Sequence, residues 1–186
     1  MKQSIDRRSA SGLKDYLALS VTTCGVGYFP LAPGTWGSLV GVGSYLLINA
    51  LLGFISERIS AHDPGSGFYN AMIFATLAVG LLIFTLAGIW AAGRSTDLLG
   101  DKDPSQAVVD EVIGQLVTFL FIPFTTSWKL ILAGFLLFRF FDVWKPYPID
   151  HLQSLPAGIG VCADDILAGV YAGICLAVIH AIILYV

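Results

Sequence analysis

Apolar residues in this chain come in long unbroken runs, with the charged residues gathered mostly in the gaps. Residues 36–55 and 68–92 are two such runs, and a helix of roughly 20 residues crosses a hydrocarbon core of about 30 Å. Residues 165–186 form a third run of that length. Between the second and third lie two shorter ones. Residues 112–124 carry Gln115 and close at Pro123, and residues 129–144 carry Arg139 and Asp142. Short runs marked by polar residues suit helices enclosed by a bundle or ending in a wet cavity, where neighbours satisfy what lipid cannot. The pattern therefore predicts an all-α fold, a polytopic integral membrane bundle of about five helices. It reads as a single domain over residues 1–186, with residues 1–28 an N-terminal cytoplasmic segment and 94–104 a polar loop. Gly37 and Gly41, and again Gly169 and Gly173, fall four apart, a spacing that lets a second helix backbone come close. Trp128 and Trp144 flank the fourth helix as interfacial anchors would.

Composition agrees with the pattern. The chain is 56% hydrophobic and only 12% charged, with a mean hydropathy of +0.78, whereas a soluble domain is about a quarter charged. A net charge of −3 without a long basic run argues against a nucleic-acid partner. The basic N-terminal stretch is not followed directly by an apolar core, so a cleaved signal peptide is not expected. Cys24, Cys162 and Cys175 lack metal-binding or redox spacing and read as packing residues. The histidines, His62, His151 and His180, are too scattered for a zinc site.

Basic residues orient the bundle. With a cytoplasmic N-terminus, Lys2, Arg7, Arg8, Lys14, Arg94, Lys102, Arg139 and Lys145 fall on the cytoplasmic side, against Arg58 and Lys129 on the other. That asymmetry obeys the positive-inside rule. The same threading carries five acids to the cytoplasmic face: Asp110 and Glu111 opening the third helix, Asp142 closing the fourth, Asp164 and Asp165 opening the fifth. A charged group at the centre of a membrane helix costs about 3 kcal/mol or more, so such acids need cations beside them.

Arg139, Asp142 and Lys145 follow one another at intervals of three, which places Arg139 and Asp142 on one helix face. Pro146 disfavours helical geometry at Lys145 and frees that side chain. Taken alone, this trio reads equally well as a structural ion pair that lowers the cost of burying Arg139 and as part of a functional site. Clustered carboxylates are hard oxygen donors, and Mg²⁺ takes one or two of them together with water and phosphate oxygens. Gly34, Thr35, Gly37 and Ser38 open the first long helix and could offer N–H groups and hydroxyls to an anion, or form a mere turn. These parts suit phosphomonoester hydrolysis on a membrane lipid, with a divalent cation activating water and Arg139 and Lys145 balancing phosphoryl charge. The rival reading is a cation-coupled transporter using the acids as an ion site. The acids gather at one face and no internal repeat is present, both of which favour surface chemistry.

Four segments then resemble the phosphatidylglycerophosphatase A family: PLAPGTWGS (30–38), VVDEVIG (108–114), FRFFDVWKPYPI (138–149) and GIGVCADDILAGV (158–170). The resemblance implies a Mg²⁺-dependent enzyme of the bacterial inner membrane, which removes the terminal phosphate of phosphatidylglycerol phosphate. It carries over Asp110, Glu111, Asp142, Asp164 and Asp165 as metal-site candidates. Arg139, Lys145 and Thr35, with Gly34 and Ser38 beside it, are carried over as phosphate-side candidates. Oligomeric state is left open.

Overall fold

A computed structural model describes residues 7–60, 67–101 and 104–185. Lys2, His62 and Lys102 lie outside the described residues. The described residues form seven helices and no strand: α1 (Leu13–Thr23), α2 (Pro33–Ser60), α3 (Gly67–Leu99), α4 (Val109–Phe119), α5 (Trp128–Trp144), α6 (Ile149–Leu152) and α7 (Ala157–Tyr185). The five apolar runs correspond to α2, α3, α4, α5 and α7. The count exceeds five because α1 and α6 are short helices in segments without a long apolar run. Three helices are long and apolar enough to cross a membrane: Pro33–Ile55, Ala71–Leu99 and Gly158–Tyr185. At 1.5 Å per residue the 17 residues of α5 reach about 25 Å, and the 11 of α4 about 16 Å, both short of a full crossing.

Local chemistry sets the ends. Pro33 occupies the first position of α2, where its missing N–H costs nothing and its fixed φ suits the helix. Residues 94–99, expected in a loop, instead extend α3 to Leu99. The helix closes at Gly100, whose φ of +78° lets its N–H return to the Thr96 carbonyl at 2.9 Å. α5 stops at Lys145, which takes φ +46° and returns its N–H to Phe141 at 2.9 Å. Pro146 disfavours continuing the α-helix through that residue, and the chain leaves α5 by a left-handed cap.

The largest revision concerns α7. Asp164 and Asp165 were expected to open the last helix, yet it begins at Ala157, directly after Pro156. Both acids therefore sit about two turns inside, too deep to cap the helix or feel its terminus strongly. Gly158 and Gly160 hid the early start, since glycine is a poor helix former on intrinsic grounds. Here Gly158 is a packing device: a Cβ on it would meet the Gly93 N at 2.5 Å.

α4 is the innermost element. Val109, Ile113, Gln115 and Thr118 are fully buried, and α4 packs most extensively on α7 and α2. The backbones of α2 and α3 do not approach closely among the described residues. They flank an apolar cleft of about 750 Å³, floored by Val112, Leu116 and Phe119 of α4. The start of α2, the ends of α3 and α5, and the starts of α4 and α7 meet at one end of the bundle.

Candidate active site

Two glycines decide where the carboxylates meet. A Cβ on Gly169 of α7 would lie 3.1 Å from the carbonyl carbon of Gly114 on α4, and one on Gly114 would lie 2.6 Å from the carbonyl oxygen of Asp165. The two backbones are in contact, which side chains larger than hydrogen would prevent. Asp110 stands one turn before Gly114 and Asp165 one turn before Gly169, so the crossing carries both acids to the same place. Glu111 joins them. Asp110, Glu111 and Asp165 each present one carboxylate oxygen, and these oxygens lie within 4.8 Å of one another.

Asp142 and Asp164, the other two acids, are engaged differently. Arg139 Nη1 donates to Asp142 Oδ2 at 2.6 Å, across the i,i+3 spacing of α5. Lys145 Nζ donates to Asp164 Oδ2 at 2.5 Å and lies 3.8 Å from Asp142 Oδ1. Gln153 Nε2 donates to the same Asp164 oxygen at 2.9 Å. Burial alone would lower the Lys145 pKa, but the carboxylates of Asp164, Asp165 and Asp142 outweigh it and raise the pKa. The five acids thus divide into a close trio and a pair that holds the two cations.

All five, with Arg139, Lys145, Gly34 and Gln153, line one cavity of about 780 Å³. Gly34 forms its narrow wall: a Cβ there would come within 3.2 Å of Arg139 Nη1 and would overlap Glu111 Oε1. Of the other α2 candidates, Thr35 does not line the cavity, and its N–H is turned back on the Ala32 carbonyl at 2.9 Å. Ser38 also lies behind the wall, fully buried, donating to Gly34 O at 3.0 Å and 3.5 Å from Arg139 Nη1. It braces Arg139 from behind.

The donor set fits a hard divalent cation. Three carboxylates converge, and Glu111 Oε2 is buried without a hydrogen-bond donor. Burial pushes the Glu111 carboxyl up to about 8. A hydrogen bond shared with Asp110 opposes that rise, while the charges of Asp165 and Asp142 add to it. A site that raises the cost of its own negative charge in this way is relieved by a bound cation.

Two features carried no sequence signal. Gln153 comes from the short α6 region, a polar stretch in which one more polar residue does not stand out. The second is an anchor for α1. Asp15, fully buried, accepts from Arg8 Nη2 at 3.0 Å, Arg94 Nε at 2.7 Å and the Ser11 N–H at 2.8 Å. The Ser11 N–H and the Arg8 guanidinium, with Arg94, hold the Asp15 carboxyl down to about 2. Arg94 is thereby bound to α1 and is not one of the residues lining the cavity.

Fold and site together define a helical protein of the membrane type, with three helices long and apolar enough to cross a bilayer and a carboxylate-lined cavity, braced by Arg139 and Lys145, at one end of its bundle. The chain belongs to the phosphatidylglycerophosphatase A family, whose model matches residues 19–180. A Bacteroides thetaiotaomicron protein, provisionally named a phosphatidylinositol-3-phosphatase, is 36% identical over 87% of this chain and 92% of its own. Phosphatidylglycerophosphatase A of Haemophilus influenzae is 36% identical over 80% of this chain and 78% of its own. The Escherichia coli protein of the same name is 30% identical over 78% and 73%. No solved structure matches the chain. Membership of this family makes the chain an enzyme of the phosphatase type. Nothing in these comparisons supports the transporter reading.

Proposed function

We propose that this protein hydrolyses the terminal phosphomonoester of phosphatidylglycerol phosphate, giving phosphatidylglycerol and inorganic phosphate. The observation that carries the reading is a carboxylate trio, mutually within 4.8 Å, in the same cavity as two braced cationic side chains. Asp110, Glu111 and Asp165 would hold Mg²⁺, which when bound polarises a phosphoryl oxygen and acidifies water.

The chain's own residues do the rest. Arg139 and Lys145 place positive charge against the phosphoryl oxygens and offset the charge that grows on them during transfer. Asp142 and Asp164 fix those two side chains in the cavity, as orienting partners do for catalytic groups generally. Gly34 leaves room beside Glu111 and Arg139 for a phosphoryl group to approach both. A carboxylate of the cluster takes the proton of the attacking water. The lipid keeps its acyl chains in the bilayer while its headgroup enters the cavity. The excess of basic residues toward this end supports a cytoplasmic face, in the inner membrane of a bacterium, with the N-terminus on the same side.

The test is phosphate release by purified protein in mixed micelles, from phosphatidylglycerol phosphate, phosphatidic acid and phosphatidylinositol 3-phosphate in parallel. The expected result is Mg²⁺-dependent release that is fastest from phosphatidylglycerol phosphate. Faster release from either other lipid would contradict the substrate, and release unaffected by chelation would contradict the cation.

A further inference from the structure

Gln115 is the largest fully buried polar side chain among the described residues, and the mechanism above does not use it. It is fully buried on α4, and neither its amide nitrogen nor its amide oxygen has a hydrogen-bond partner. Leaving such a group unpaired in the interior is costly, so an apolar residue of the same length would be the cheaper occupant. Its position suggests what the amide is for. Gln115 follows Glu111 by four residues, so the two are neighbours on one helix face. Helical side chains lean toward the N-terminus, which carries the amide at 115 over the turn that holds Glu111.

Both side chains also press on the same glycine face of α2. A Cβ on Gly37 would lie 3.2 Å from Glu111 Cβ, and a Cβ on Gly41 would lie 2.8 Å from Gln115 Cβ. On that face Glu111 Oε2 is buried and lacks a donor, while Gln115 Nε2 one turn below is buried and lacks an acceptor. Each supplies what the other is missing.

We propose that Gln115 is a positioning residue, donating its amide N–H to the Glu111 carboxylate from the dry side when that carboxylate holds a divalent cation. The proposal rests on the cation reading above. Carboxylates that ligate a metal are themselves hydrogen-bonded, and loss of such an outer partner typically weakens metal binding about 10–100-fold. Both groups stand on α4, so the bond needs a side-chain rotation and no shift of one helix against another.

Gln115→Met keeps the length and removes the amide. Mn²⁺ binding to the full-length protein, followed by electron paramagnetic resonance, is expected to weaken about 10–100-fold. Thermal stability of the ion-free protein is expected to hold or rise, because an unpaired buried amide is gone. Gln115→Asn withdraws the amide by one carbon and is expected to give the same loss of Mn²⁺ affinity, should the methionine variant fail to fold. Unchanged Mn²⁺ affinity would overturn the proposal. A fall in ion-free stability together with affinity would also overturn it, since that marks a purely structural amide. Absence of Mn²⁺ binding to the unsubstituted protein would overturn the cation reading itself, and this proposal with it.

Discussion

Asp165 and Asp142 are both buried acids in one cavity, yet they face different partners. Asp165 belongs to the trio of converging oxygens, whereas Asp142 receives the Arg139 guanidinium at 2.6 Å. Replacing each by asparagine should therefore fail in different ways. Asp165→Asn is expected to weaken cation binding and lower phosphate release at least 100-fold at fixed Mg²⁺ concentration. Asp142→Asn is expected to leave Mn²⁺ affinity within a few-fold while lowering kcat about 10²–10³-fold, the loss seen when a charge-stabilising donor is misplaced. Parallel titrations of activity and Mn²⁺ binding separate the two; identical profiles would contradict the division of the five acids. These residues were legible in the sequence because each one interrupts an apolar run, where a charge is expensive and so conspicuous. Gln153 and Asp15 were not, because they sit among other polar residues and the contrast disappears. Thr35 stood out for its motif, yet the helix start turns its N–H inward.

At the level of elements, the site depends on one crossing. Gly114 and Gly169 bring α4 and α7 into backbone contact, and the acids one turn earlier on each helix follow. Gly169→Ala puts a methyl against the Gly114 carbonyl. It should cost typically about 1–3 kcal/mol through overpacking, and activity should fall further than stability because the trio is spread apart. Thermal melting and phosphate release on the same preparation check this; a variant destabilised but equally active per folded molecule would show that the crossing does not set the site.

α1 makes a separate case. Asp15 has its carboxyl held near 2, below the ordinary 3.8. Its contribution to stability is thus present above about pH 4 and lost as pH falls through about 2. Asp15→Asn is expected to loosen α1 from the end of α3 at neutral pH, read as faster amide exchange across Leu13–Thr23 with the cavity's exchange unchanged. The long helices were readable from run length alone. The start of α7 was not, because Pro156 and two glycines imitate a loop, whereas the helix begins at Ala157 and packs Gly158 against Ile89 and Gly93 of α3.

Across the described residues, three helices long and apolar enough to cross a membrane surround a short buried helix whose acidic start lies in a cavity at the bundle's end. The arrangement answers the bilayer problem posed by the sequence: the acids lie around one cavity, two of them on side-chain cations and three with their oxygens converging. Removing divalent cations by EDTA should stop turnover completely, and excess Mg²⁺ should restore it; persistent turnover in EDTA would require another chemistry. Convergence of distant segments was legible only as a consequence of threading, since an even number of crossings returns the chain to the same face. The separate roles of the five acids were not legible, because side-chain partners depend on the crossing of α4 with α7.

The location of a bound ion tests this most directly. Crystals of the protein soaked in Mn²⁺ should give an anomalous difference peak between Asp110, Glu111 and Asp165, within coordination distance of all three. A peak centred on Asp142 and Asp164 instead, or no peak from protein that remains active, would contradict it.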